Sequence, residues 1–361
     1  MVDVDLLATW MDDQGLPSGP VTSVEPLGGG TQNVLLAFER GGRRYVLRRG
    51  PRHLRAASNE VMRREMRVLA ALAGTDVPHP RFIAGCPDET VMGGAVFYLM
   101  EPVDGFNATV TLPDPHASDP AIQHEMGLQA ADAVARLGAV DHVAVGLGDF
   151  GRPDGFLERQ VPRWQRELDS YREIEGYPGP EIPGLDEVAA WLDAEANRPA
   201  TWRPGIMHGD YHLANVLFAP DGPRLAAIVD WEMCTIGDPL LDLGWLLATW
   251  PEPQGPSDEL AASVVTGAIG QATGLPSRQE LVDRYAERAA ATGGLAGRDL
   301  AAIPWYTVLA CFKLGIVLEG THARACGGKA PKATGDLLHA ITLGLFARAR
   351  AVISGQTGAR P

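Results

Sequence analysis

The chain has 361 residues, 45% apolar and 21% charged, enough for about two lobes at roughly 150 residues per domain, and this balance excludes disorder, collagen-like repeats and a coiled coil. A formal charge of −14 repels polyanions, so no nucleic-acid partner is expected. The charge is uneven: ten arginines lie between Arg40 and Arg67 against Glu60 and Glu65, which marks that segment for an anion, whereas lysine occurs only at 313, 329 and 332.

Leu6, Leu7 and Trp10 recur at helical spacing and predict a first helix, broken by Gly15, Pro17, Gly19 and Pro20. Three short strands follow at 21–27, 33–39 and 44–48, the last two joined by the hairpin signal Gly41-Gly42. The apolar spacing of Val61, Met66, Val68, Leu69 and Leu72 gives a helix over 56–72, and 91–100 reads as a further strand interrupted near Gly93-Gly94. Beyond Pro102 helices are expected at 121–138, 156–174, 185–197, 239–249, 258–271, 277–290, 298–322 and 333–353. Two short strands, 216–218 and 225–229, interrupt this helical part around the turn Pro220-Asp221-Gly222-Pro223.

Cys86, Cys234, Cys311 and Cys326 are scattered without metal-site spacing and read as buried, reduced thiols. The N-terminus is acidic with no signal-peptide pattern, and the most apolar run, 303–318, carries Lys313 and is shorter than the ~20 residues of a membrane span. A cytoplasmic protein with no membrane partner is expected.

Chemistry concentrates in His208-Gly209-Asp210-Tyr211-His212-Leu213-Ala214-Asn215, followed after one tight turn by Ile228-Val229-Asp230. An Asp, an amide five residues later and a second Asp after a hairpin are what phosphoryl transfer needs: one carboxylate to take the proton of an attacking hydroxyl, and an amide oxygen with another carboxylate to hold Mg²⁺. Two other readings stay open: Asp210 as a turn cap, and a zinc hydrolase site made of His208, His212 and Asp210.

The H-G-D-x-x-x-x-N run and the following I-x-D resemble the aminoglycoside phosphotransferase family of kinase-like enzymes, and the likeness extends over most of the chain. It implies an α+β, protein-kinase-like bilobal fold. Residues 1–102 would form an antiparallel-sheet lobe that binds nucleotide, and 103–361 a mostly helical lobe with the catalytic loop and acceptor site. It also implies ATP and Mg²⁺, with Asp210 as catalytic base and Asn215 and Asp230 as metal ligands. Gly28, Gly29, Gly30 and Thr31 would cover the phosphates, although any hairpin turn can be glycine-rich. Arg48 stands where the family has a lysine, is expected on the α/β-phosphates and would be oriented by Glu65. Glu101 and Val103 fall on the interlobe hinge, where backbone groups meet adenine. The segment Gly237-Asp238-Pro239-Leu240-Leu241-Asp242-Leu243 resembles one that packs beside the catalytic loop.

The acceptor is expected to be a small-molecule hydroxyl. The run Val46-Leu47-Arg48-Arg49, the pair Arg64-Glu65 and the helix from Trp305 to Lys313 look most like the branch joined to some acyl-CoA dehydrogenases, which implies an anionic hydroxy acid or hydroxyacyl-CoA. Arg159, Arg163 and Arg166, spaced to share a helix face, agree with an anion, and Arg163, Trp305 and Lys313 are the candidate acceptor contacts. An aminoglycoside or other antibiotic acceptor is the alternative. A pseudokinase is a further one, against which all three of Asp210, Asn215 and Asp230 count.

Overall fold

The computed structural model describes residues 2–28, 33–51, 54, 57–251 and 267–355. Helix α1 (Val4–Asp13) is capped by Asp3, whose carboxylate accepts the Asp5 and Leu6 amides. Strands β1 (Thr22–Pro26), β2 (Val34–Arg40), β3 (Arg43–Arg49), β4 (Phe82–Cys86) and β5 (Phe97–Met100) form one antiparallel sheet of order β1-β2-β3-β5-β4. Alternation along β3 decides what each face carries. Tyr45 and Leu47 pack with Leu7, Trp10 and Met11 of α1. Val46 belongs to the core with Met62, Val68 and Leu69 of helix α2 (Ser58–Leu72), and Arg48 points to that same side.

The remainder is mainly helical. Its helices are α3 (Pro120–Ala139), α4 (Gln160–Ser170), α5 (Leu185–Asp193), α6 (Leu240–Thr249), α7 (Arg278–Ala291), α8 (Ile303–Cys326) and α9 (Lys332–Ile353). Two small ladders interrupt them: β6 (Gly205–Met207) pairs with β9 (Thr235–Gly237), and β7 (Val216–Phe218) with β8 (Leu225–Ile228). These four strands hold the two ends of the polar motif together.

Several expectations need correction. The strand expected over 91–100 is extended only at Phe97–Met100, because 89–94 turns through Gly93 and Gly94 at positive φ. Strand β4, with Gly85 in its short run, gives no clear alternation and was not foreseen. Of the helix expected at 258–271, residues up to 266 lie outside the described ones and Gly267–Gln271 is a 3₁₀ turn. Helix α8 starts later and ends later than the helix expected at 298–322: with the preceding 3₁₀ turn it is the one described helix long and apolar enough to cross a membrane, and most of it is buried inside the protein. Lys313, which broke the apolar run in sequence, sits in that buried stretch.

Helices α6 and α8 approach so closely that a Cβ on Gly244 would lie 2.6 Å from the carbonyl carbon of Tyr306. Gly244→Ala is expected to destabilise the fold by about 1–3 kcal/mol, although alanine is the better helix former, because backbone cannot move aside as a side-chain tip can. Denaturant unfolding of the variant measures it, and a stabilised protein would contradict the contact.

Candidate active site

Arg48 reaches the site because β3 turns every second side chain toward α2. Its Nη2 donates to Glu65 Oε1 at 2.9 Å and to Asp230 Oδ1 at 2.6 Å, and its Nε lies 2.8 Å from Glu65 Oε2, close in distance but poorly aligned as a hydrogen bond. Tyr98 from β5 donates to Glu65 Oε2 at 2.7 Å. Burial opposes charge on the guanidinium, but Glu65, Tyr98 and Asp230 more than offset it, so its pKa is raised. Burial also pushes the Glu65 carboxyl up, against the pull of Arg48 and Tyr98. The expected pairing of Arg48 with Glu65 is therefore present, and Asp230 joins it.

Asp230 follows β8 in the left-handed region, φ 63°, unusual for a residue with a side chain. The β7–β8 ladder, with the Val229 amide on the Asn215 carbonyl at 2.9 Å, brings Asn215 beside Asp230. Asn215 Nδ2 donates to both the backbone and the carboxylate of Asp210, each at 2.9 Å, which leaves Oδ1 as its acceptor for a cation. His212 Nδ1 accepts from the Ala214 amide, so Nε2 carries the proton that faces Asp210 Oδ1 at 3.3 Å. Burial works to raise the Asp210 pKa, yet His212 and the neighbouring His208 and Lys313 hold it well below the usual carboxylate range.

The loop before Asp210 is held by a carboxylate from α6. Asp242 accepts the His208 amide at 2.6 Å and the Gly209 amide at 2.8 Å. Gly209 has φ 85°, and a Cβ there would run into the Met233 carbonyl, so the turn requires glycine. Its carbonyl accepts from Lys313 Nζ of α8 at 2.7 Å. Burial pushes Asp242 up to about 7 and Lys313 down to about 8, and each moderates the other's shift. His208 is buried, its Nε2 on the Val229 carbonyl at 2.9 Å. Among the described residues His208, His212 and Asp210 do not bring three ligand atoms together, so the zinc-hydrolase reading finds no support in the geometry.

At the hinge, the Glu101 amide is spent on the Arg81 carbonyl at 2.9 Å, and its side chain pairs with Arg43 and Arg81, so its carbonyl is the backbone group left for a base. Val103 is half-buried just beyond it. Gly28 takes an ordinary φ with open space where a Cβ would stand, and Gly29, Gly30 and Thr31 lie outside the described residues.

Beside Gly209 lies a cleft of about 400 Å³ whose basic lining is Arg64, Arg152, Arg159, Arg163 and Lys313, against the single carboxylate of Glu232. Arg163 and Lys313 thus meet as expected. Trp305 does not: it is in the core, its indole N–H on the Leu192 carbonyl at 3.2 Å. Arg166 is also absent from the lining, since seven residues carry it ~10 Å along the helix from Arg159. The arginine-rich segment turns out to be mostly paired within the protein: Arg40 with Asp12, Arg43 with Glu101, Arg63 with Glu89 and Arg67 with Asp149. Among the described residues of that segment Arg64 alone faces the cleft, stacked on Phe150. Glu232 was missed by sequence reasoning although it stands two residues after Asp230. Its carboxylate, those of Asp230 and Glu65 lie within 4.8 Å of one another, and Asn33 donates to it at 3.4 Å.

Comparison with known proteins bears on the family and the fold. The chicken acyl-CoA dehydrogenase family member 11 is 29% identical over 322 residues, which covers 88% of this chain and 39% of that protein, so the chain spans about two fifths of the length of the curated relative it matches. A crystal structure of a candidate aminoglycoside phosphotransferase from Ralstonia eutropha is 28% identical, covers 97% of this chain and 99% of its own, and superimposes with a TM-score of 0.76. The macrolide 2'-phosphotransferase MphH from Brachybacterium faecium, 21% identical over 94% of this chain and 97% of its own with a TM-score of 0.56, shares the fold. The profile of the phosphotransferase enzyme family matches residues 23–293, well over half of the sequence, so the chain belongs to that family and is a small-molecule phosphotransferase of kinase-like fold.

Proposed function

We propose that the protein transfers the γ-phosphoryl group of ATP, bound with Mg²⁺, to a hydroxyl of a small anionic acceptor, a hydroxy acid or hydroxyacyl-CoA. The observation that carries the acceptor class is the cleft, where five cationic side chains face one carboxylate beside the loop that bears Asp210. A polycationic aminoglycoside would be repelled by that lining. The similarity to a protein named as an acyl-CoA dehydrogenase family member supports the same direction.

In this reading residues 1–102 are the nucleotide lobe and 103–361 the acceptor lobe. Glycines 28–30 and Thr31 cover the phosphates, Arg48 contacts the α/β-phosphates, and the backbone of Glu101 and Val103 meets adenine. Arginine suits the position because the step needs a fixed cationic fork and no proton transfer. Asn215 Oδ1 and Asp230 hold Mg²⁺, and these all-oxygen donors match a hard cation. That ion neutralises charge on the departing phosphoryl group. Asp210, kept ionised and oriented by Asn215 and His212, accepts the proton of the acceptor hydroxyl. Lys313 fixes the Gly209 carbonyl and, with Arg163, places positive charge where the acceptor's anion sits. The intact set of Asp210, Asn215 and Asp230 argues for turnover over nucleotide binding alone.

Asp210→Asn is expected to lower kcat by about 10²–10⁴-fold while the KM for ATP and the melting temperature hold, as general-base loss requires. Steady-state kinetics on a folded variant decides it, and undiminished turnover would remove Asp210 as base. Removing Mg²⁺ with EDTA, or substituting Asp230→Asn, is expected to abolish phosphoryl transfer, and full activity in EDTA would end the kinase reading. In an acceptor screen followed by ADP release, hydroxyacyl-CoA thioesters and hydroxy acids should be phosphorylated in preference to aminoglycosides. Efficient turnover of aminoglycosides alone would reverse the acceptor assignment.

A further inference from the structure

Helices α8 and α9 carry a cluster of side chains that phosphoryl transfer leaves unused. Glu319 and His322 stand three residues apart on α8, on one face of the helix, and His339 of α9 comes against them. Glu319 is fully buried, with Oε2 2.7 Å from His339 Nδ1 and Oε1 accepting from the Tyr177 hydroxyl at 2.7 Å. The two imidazoles stack with centroids 4.5 Å apart and planes 26° from parallel. His322 Nε2 lies 3.6 Å from Cys326 Sγ, while its Nδ1 is buried with no hydrogen-bond partner. One ligand atom from each of Glu319, His322 and His339 lies within 4.8 Å of the other two.

We propose that Glu319, His322 and His339 form a zinc site, separate from the nucleotide's magnesium site. Two imidazole nitrogens and one carboxylate oxygen are a borderline-soft donor set that selects Zn²⁺ over Mg²⁺, and three protein ligands leave the fourth tetrahedral position to water. The surroundings of each ligand fit the assignment. Tyr177 holds the far oxygen of Glu319, so Oε2 is the one presented. Cys326 Sγ lies against Nε2 of His322, so Nδ1 is the ring nitrogen left without a partner in the protein. Such outer partners commonly orient metal ligands and tune them. Ligand atoms around tetrahedral zinc stand ~3.3 Å apart, so the three atoms, now within 4.8 Å of one another, draw together when the ion binds. On binding, His339 Nδ1 gives up the proton it shares with Glu319, which passes to solvent. The site lies on the same helix as Lys313, six residues or ~9 Å along its axis, so it would brace the segment that fixes the Gly209 carbonyl.

The test uses the full-length protein stripped with a chelator and then titrated with ZnCl₂ against a chromophoric competitor, and with CoCl₂ followed by visible absorption. The expected result is one zinc per chain, a rise in melting temperature with zinc, and cobalt bands of tetrahedral intensity. His322→Gln and His339→Gln should each weaken zinc binding by about 100-fold or more and Tyr177→Phe by about 10-fold, whereas His212→Ala, outside the cluster, should bind as wild type does. Absence of stoichiometric zinc uptake and of the cobalt bands in the wild-type protein overturns the proposal without recourse to any variant. So does uptake that persists in the His322→Gln, His339→Gln double variant or is lost in His212→Ala.

Discussion

The segment that bears Asp210 depends on one buried carboxylate. Asp242 accepts two consecutive amides, those of His208 and Gly209, and so fixes the turn that leads into Asp210 and places Gly209 in the cleft wall. A carboxylate with no solvent access is costly unless its oxygens are satisfied and a cation stands near. Both conditions are met, by the two amides and by Lys313, whose ammonium lies over the ring of Trp245 at 4.3 Å and binds the Gly209 carbonyl. The loop is therefore clamped from two helices, at its amides by α6 and at its carbonyl by α8. The clamp works only because Gly244 lets those helices touch at backbone distance. The neighbouring Asp238 repeats the pattern: it caps α6 through the Leu240 amide and accepts the Tyr306 hydroxyl of α8 at 2.5 Å.

A second buried network ties the sheet to this clamp. Arg48 divides its guanidinium between Glu65 of α2 and Asp230 after β8, so a single side chain from the sheet links β3 and α2 to the segment that follows β8. Lysine is a point charge and would meet one partner at a time with full strength, whereas the planar fork can serve both. The substitution is thus compatible with the site, and Tyr98 on Glu65 completes the acceptors. Glu232 adds a third carboxylate beside that fork and reaches Asn33 at the start of β2, next to the glycine-rich turn.

Charge is allotted by tertiary structure in a way that linear density does not show. The arginine-rich stretch looks like an anion site in sequence, yet four of its arginines neutralise acids brought from elsewhere in the chain. The positive cleft is instead assembled from Arg64, from Arg152 and Arg159 in the approach to α4, from Arg163, and from Lys313 on α8. Arg159 is further held to the Arg152 and Asp154 carbonyls, which orders the mouth of the cleft.

By itself the sequence determined most of the elements and singled out the candidate reacting groups. Glycine and proline punctuation with helical and alternating periods placed the hairpins and nearly all the helices, since these signals are local. The spacing of Asp210, Asn215 and Asp230 foretold that they lie together, because a loop and one tight hairpin keep those residues close whatever the rest does. Pairing between distant segments was decided by tertiary structure alone. Strands of three residues such as β6 and β9 leave no periodic trace, though their ladder sets Met207, just before His208, beside Thr235. Trp305 and Lys313 look equally suited to a cleft in sequence, and only the packing of α8 sends the first to the Leu192 carbonyl and the second to Gly209. Burial and ion pairing depend on which surfaces meet, and a helix with apolar side chains all round carries no mark of which side faces a site.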